Sequence, residues 1–218
     1  MRRLLVGSGA AVFAVLLIGA LLEPLPGGID LRIAVASHMA ASGVEHPVTA
    51  VLLNFRGYDT LLEIAVLLLA VIVILAGGLD PAVDRPRAAN PILQSLARLA
   101  TPPMIVVAVY LLWAGAFRPG GAFQAGAVLA AAAVLLHLTG LLPSWQRPAL
   151  SLRWGMTAGF LIFLAVATGL LAQGALLRYP PAQAGLLILL VEAGLTVSLG
   201  LILAGLFLFL SRDPGDEE

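Results

Sequence analysis

The chain contains no cysteine, which excludes disulfides, thiolate nucleophiles and cysteine-held metals. Charge is scarce: 11% of the 218 residues are Asp, Glu, Lys or Arg, against about a quarter in a soluble domain. Lysine is absent, and the twelve cationic side chains are all arginine, balancing twelve acids to a formal net charge of zero. No basic patch with interleaved aromatics exists, so nucleic acid is not expected as a partner. Phosphate-binding glycine loops, nucleophile triads and haem-ligand pairs are also missing, so the chain is not read as an enzyme and no cofactor is expected. His38 and His46 stand eight residues apart in a polar segment and do not make a metal site.

What is present is hydrophobicity. Apolar residues make up 61% of the sequence and the mean hydropathy is +1.03. The pattern predicts an all-α integral membrane protein with about six transmembrane helices, counted at ~20 residues per crossing. The apolar runs cover roughly 4–22, 60–78, 101–117, 122–140, 153–173 and 184–210. The first follows Arg2 and Arg3; it is long for a signal peptide and no small-residue cleavage site follows, so it reads as a retained helix. Residues 30–41 are mildly amphipathic and predict a short interfacial helix. The stretch 79–98, rich in proline and charge, reads as the clearest linker.

Four segments follow: a leading helix and extracytoplasmic loop (1–50), a charged helical segment (51–80), a cytoplasmic linker (81–98) and a four-helix membrane domain (99–218). Orientation follows from arginine near the span ends. With the N-terminus inside, the inner side holds Arg2, Arg3, Arg85, Arg87, Arg98, Arg147, Arg153 and Arg212, and the outer side only Arg32, Arg56, Arg118 and Arg178. Both termini are therefore expected in the cytoplasm of a multi-pass cell-membrane protein.

Against this background a few polar residues stand out. Arg56, Asp59 and Glu63 lie at spacings i, i+3 and i+7 at the head of an apolar run, which on a helix places them on one face. A charge in a membrane costs at least ~2.5–3.5 kcal/mol, so that face should be buried or wet, and paired. Asp59 also suits a helix N-cap. Glu63 lies one turn deeper, where burial and Arg56 pull its ionisation in opposite directions, a balance suited to a proton or cation relay.

Glu192 stands alone in LLILLVEAGLTVSLGLILAG with no nearby basic residue, and Thr196 follows one turn on. It reads either as a hydrogen-bonded structural acid or as part of an ion path or subunit contact. Between two spans runs GAFRPGGAFQAG (115–126), whose proline and paired glycines require a tight turn or broken helix. Its freed backbone groups must face protein or water. Arg118 and Gln124 are its notable polar groups. His137 sits near the end of the fourth run. Gly155 and Gly159 form a small-xxx-small pair suited to helix packing.

Those same residues carry a family resemblance. VLLNFRGYDTLLEIAVLLLAV resembles the N-x-RG-[FY]-DT-x-x-E segment at the C-terminal end of the large A subunit of Mrp-type cation/proton antiporters, which also forms the small E subunit of membrane-bound hydrogenases. From about Asn90 onward the chain resembles the MnhB (Mrp B subunit) family. Its GH-x-x-PGGGFQ-G-like turn corresponds to GAFRPGGAFQAG, and its late acid-Gly span to VEAGLTVSLG. Ala116 stands where that family has histidine and Ala122 where it has a third glycine, so a histidine-dependent role at the turn is not expected.

The resemblance implies a membrane subunit of a multisubunit antiporter complex, beside larger subunits that carry Na⁺ and H⁺, in the lipid bilayer. It would line or seal part of the ion path. Arg56, Asp59, Glu63, Glu192, His137, Arg118 and Gln124 are then the candidates for ion-path or subunit contact. Two alternatives remain open: the equivalent subunit of an electron-driven ion pump such as a membrane-bound hydrogenase, and a purely structural subunit.

Overall fold

The computed structural model describes residues 2–22, 30–76, 90–142, 149–172 and 174–210. These residues are helices and connections, with no strand among them. The chain divides into two compact units, Met1–Ala34 and Val35–Glu218.

In the first unit, α1 (Arg2–Leu22) is apolar along most of its length. Asp30 then opens α2 (Leu31–His38), its Oδ1 accepting from the Arg32 backbone N–H at 2.9 Å. This is the usual way an aspartate satisfies an orphan donor of a helix's first turn.

The second unit begins within α2, at Val35, and Met39–Ala41 is helical as well, in keeping with the helix expected over 30–41. Next come α3 (Pro47–Ala50) and a wider π-turn over Val51–Phe55. Helical backbone thus runs unbroken across residue 50, where a loop is expected to give way to the charged segment. The long helices are α4 (Gly57–Ala76), α5 (Pro91–Ala114), α6 (Ala122–Leu138), α7 (Leu150–Leu171) and α8 (Ala184–Leu210). By length and composition, four described helices can cross a membrane: α4, α5, α7 and α8. The other two expected spans appear as shorter apolar helices, over Gly7–Gly19 and Ala122–Leu138.

One boundary differs clearly from expectation. The third span begins at Pro91, not at 101, so residues 91–98 are helix and not linker. The rest of that expected linker, up to residue 89, lies outside the described residues. The reason for the early start is a helix signal hidden among prolines. Asn90 is the N-cap, its side chain accepting from Ile92 N at 3.0 Å. Pro91 occupies the first helical position, where its missing N–H costs nothing. Pro102 and Pro103, which mimic a helix start, lie inside α5.

α8 is the hub, packing on α6 and α7 and touching α4 and α5. Half of its span is buried, against 11% for α5, so α5 turns most of its apolar surface outward. Close approach is made by small residues. A Cβ on Gly159 of α7 would sit 2.6 Å from Ser198 Cβ and 2.7 Å from the Gly194 carbonyl of α8. On α6, Gly126 meets Leu199, Gly200 and the Thr196 carbonyl in the same way. Ser198, wholly buried, donates to the Met156 carbonyl across the α7–α8 seam. The core is the apolar cluster of Ile64, Phe163, Ala167, Ile188, Val191, Leu195 and Leu199.

Candidate functional site

The GAFRPGGAFQAG turn is built against Glu192. Backbone N–H of Gly121 donates to Leu111 O at 2.8 Å, which folds the turn back on the end of α5. The freed carbonyls there find donors in α3 and the residues just before it. Ala116 O accepts from Glu45 N at 2.8 Å and from His46 N at 3.0 Å, and Gly115 O accepts from Thr49 Oγ1 at 2.5 Å. Unsatisfied buried backbone is costly, and here protein supplies the partners. Gly43 packs on α8: its φ is +79, and a Cβ there would collide with the Ala184 side chain.

Gly121 adopts φ 106 and ψ −171, a region essentially reserved for glycine. Its backbone leaves room for the Glu192 carboxyl: a Cβ there would lie 2.6 Å from Oε1. Glu192 is 4% exposed, and its Oε1 accepts from Ala122 N at 3.4 Å. Ala122 is the first residue of α6, so the carboxyl lies at the positive end of that helix and does the capping that Gly121 cannot. Thr196 Oγ1 donates to Glu192 O at 2.8 Å, inside the helix. Glu192, with no charged neighbour in sequence, therefore has a backbone partner from 70 residues away.

A recess of about 700 Å³ opens beside this contact. Its walls include Glu45, Val44, Trp113, Phe117, Leu189 and Glu192. Two carboxylates from opposite parts of the sequence thus border one space. Glu45 is missed by sequence reasoning because it sits in a polar stretch with no spacing relation to α8. Its only local signal is the following His46-Pro47, which starts α3.

The other candidates are distributed. Gln124 lies at the turn, its Oε1 3.9 Å from the position of a Gly121 Cβ. Arg118, in the same turn, is exposed. His137 is far along α6, in its last turn, with Nδ1 buried and without a hydrogen-bond partner among the described residues.

The Arg56–Asp59–Glu63 face is only partly as expected. Arg56 is not in the helix: it sits at the break before α4, with φ −128 and ψ 31. Its guanidinium still pairs with the Asp59 carboxylate. Asp59 is in the first turn of α4 and not its N-cap. Glu63 is exposed on this chain, where burial is expected. The reason is the periodicity of α4, which buries Gly57, Thr60, Leu61, Ile64 and Val71. That stripe turns residues 59, 62, 63 and 66 away from the core. The break itself is braced by Thr60 Oγ1, which donates to Leu52 O at 2.6 Å.

Comparison with known proteins places this arrangement. No curated protein matches the chain at a significant level. Two solved structures share the fold. One, the Mrp complex from Dietzia sp. DQ12-45-1b, is 20% identical with a TM-score of 0.68, and the match covers all of this chain and 27% of that one. The chain thus spans about a quarter of the length of that relative. The other, the membrane-bound sulfane sulfur reductase (MBS), an archaeal respiratory membrane complex, is 22% identical with a TM-score of 0.68, covering 98% of this chain and all of that one. A sequence model of the domain related to the MnhB subunit of Na⁺/H⁺ antiporter matches residues 92–210, α5 to α8 almost entire. By this match, over more than half its length, the chain belongs to the MnhB-related domain family.

Proposed function

We propose that the chain is a membrane subunit of an Mrp-type cation/proton antiporter complex, with both termini in the cytoplasm. The observation that carries this reading is the family match over α5–α8. The outer face of α4 is consistent with it. Exposed Glu63 follows the Arg56–Asp59 pair and lies beside exposed Leu62 and Val66. An ionisable group at that depth is unfavourable against lipid and favourable against the polar face of a neighbouring subunit. The chain then seals or lines part of an ion path whose other wall a partner provides. A second reading, the equivalent subunit of a redox-driven ion pump, is favoured by the likeness to a whole chain of the same size in a respiratory membrane complex.

The test is to purify the intact complex from its own membrane, identify its subunits, and measure cation-dependent ΔpH in everted vesicles with and without this chain. Antiporter-like partners and loss of ΔpH on deletion support the first reading. Redox subunits in the complex favour the second. Full transport without the chain overturns both.

A further inference from the structure

We infer that the recess between the 39–47 segment, the α5–α6 turn and the head of α8 is a water-filled, cation-selective vestibule that leads monovalent cations or protons to Glu192. The inference rests on the ion-handling reading above and assigns to Glu45 a role no resemblance gives it.

Four observations converge. First, the recess is about 700 Å³, room for roughly twenty waters at ~30 Å³ each. That is far more than one dehydrated ion needs and enough for a hydrated one. Second, its charged lining is of one sign: Glu45 and Glu192 border it, and no arginine or histidine does among the described residues. Third, Glu192 is a carboxyl almost wholly removed from solvent that still borders this space. Only its Oε1 is engaged, by one long bond from Ala122 N, and Oε2 has no hydrogen-bond partner among the described residues. Fourth, the recess has direction. Gly185 and Glu192 both line it, and seven residues of α8 separate them, about 10 Å of helix rise. One end is therefore at the head of α8, where Gly43 packs on Ala184 and Gly185, and the other at the buried acid; the exposed Glu45 borders the same space. The aromatic pair Trp113–Phe117, with ring centroids 5.6 Å apart, forms part of the wall and suits a passing cation.

The absence of native cysteine makes the test direct. Single cysteines are introduced at Ala116 and Leu189, which line the recess, at Val197, an exposed apolar position on α8, and at Ala182, exposed in the turn before α8. Reaction rates with a cationic and an anionic thiosulfonate are measured in opened native vesicles containing the whole complex. Each cation-to-anion ratio is divided by the ratio at Ala182→Cys. The expected result is reaction at Ala116→Cys and Leu189→Cys but not at Val197→Cys, with normalised ratios of at least ten. A unit charge ~10 Å away at an effective dielectric near 20 favours the cation by roughly tenfold and disfavours the anion by a like factor, so ten is the lower bound.

Adding Glu45→Gln should lower the normalised ratio severalfold. Glu45 is exposed, so this variant leaves the core intact even where Glu192→Gln disturbs the turn. Glu192→Gln should lower it further at Ala116→Cys. No reaction at the two lining positions means that lipid or a neighbouring subunit fills the recess, and overturns the inference. A normalised ratio near one, or one insensitive to Glu45→Gln, overturns it as well. These readouts involve no antiport, so they fail or succeed separately from the proposed function.

Discussion

Replacing Gly121 by alanine should be among the most damaging single-methyl additions in the chain. Two costs add. The backbone at φ 106 and ψ −171 is a glycine-only region, and holding an L-residue there costs about 1–3 kcal/mol. The new Cβ would also lie 2.6 Å from Glu192 Oε1, so the carboxyl must swing away and lose its bond from Ala122 N. A buried polar group left unpaired costs about 1–3 kcal/mol. Together the loss is about 2–6 kcal/mol.

Gly140 provides the control. It too has positive φ, +71, but nothing lies within 4 Å of its Cβ, so Gly140→Ala should cost only about 1–2 kcal/mol. The assay is unfolding of the purified protein in mixed micelles, followed by tryptophan fluorescence. A double substitution isolates the clash: with Glu192→Ala in place, Gly121→Ala should lose only its backbone term, so the double variant loses about 1–3 kcal/mol less than the sum of the two single losses. Equal losses at Gly121 and Gly140, or strict additivity with Glu192→Ala, would refute the argument that the turn is shaped around the carboxyl.

Four further outcomes are expected. Gly159→Ala should destabilise by about 1–3 kcal/mol, because its Cβ meets the Gly194 carbonyl, a backbone atom that cannot rotate away. Gly169→Ala, a helical glycine with open space around its Cβ, should stabilise by about 0.5–1 kcal/mol, and thermal unfolding in detergent compares the two. Burial pushes the Tyr179 phenol up from 10.0 to about 12, and its hydroxyl has no hydrogen-bond partner among the described residues. Because the folded form holds the proton more tightly, the associated stability is complete below pH 10. About 2–3 kcal/mol of it is lost as pH rises from 10 to 12. Tyr179→Phe should remove that slope and cost little at neutral pH, and phenolate absorbance should show one of the three tyrosines titrating late. Glu63→Gln should leave the complex assembled, since the amide is nearly isosteric, and strongly reduce cation-dependent ΔpH, with Glu63→Asp intermediate. Wild-type transport in Glu63→Gln at equal subunit composition would make the residue structural.

Much of the architecture is legible in the sequence because bilayer thickness dictates it: an apolar run of some twenty residues has few alternatives to a spanning helix. The boundaries are less legible where two signals share the same letters. Pro91 marks the true start of α5, behind an asparagine cap. Pro102 and Pro103 copy that signal a few turns later inside the same helix. Both sites look like breakers, and the capped one at Asn90 is where the helix starts. The candidate site divides along a similar line. Glu192 is visible as a lone acid, and the glycine turn is visible as a break. Their contact is not, because the donor to Glu192 is a backbone N–H that no residue letter encodes. Glu45 is invisible for a different reason: it reaches the recess through the fold of 39–47 over the α5–α6 turn, held by hydrogen bonds to the carbonyls of Gly115 and Ala116.

The two acidic features cannot be one pathway within this chain. Glu63 lies on the exposed side of α4, and no residue of α4 lines the recess that Glu45 and Glu192 share. The helix buries its opposite stripe in apolar core that α8 completes in two clusters, Leu61 and Ile64 with Ile188 and Val191, and Val71 with Ile202. A continuous polar connection through that core would have to cross side chains that offer no donor or acceptor, and an ion there would lose its hydration with nothing to replace it. Under the proposed function, a cation or proton that uses both features passes around the chain on the exposed side of α4. The chain thus carries two separate acidic features: a recess bordered by Glu45 and Glu192, and an exposed face of α4 where Glu63 follows the Arg56–Asp59 pair.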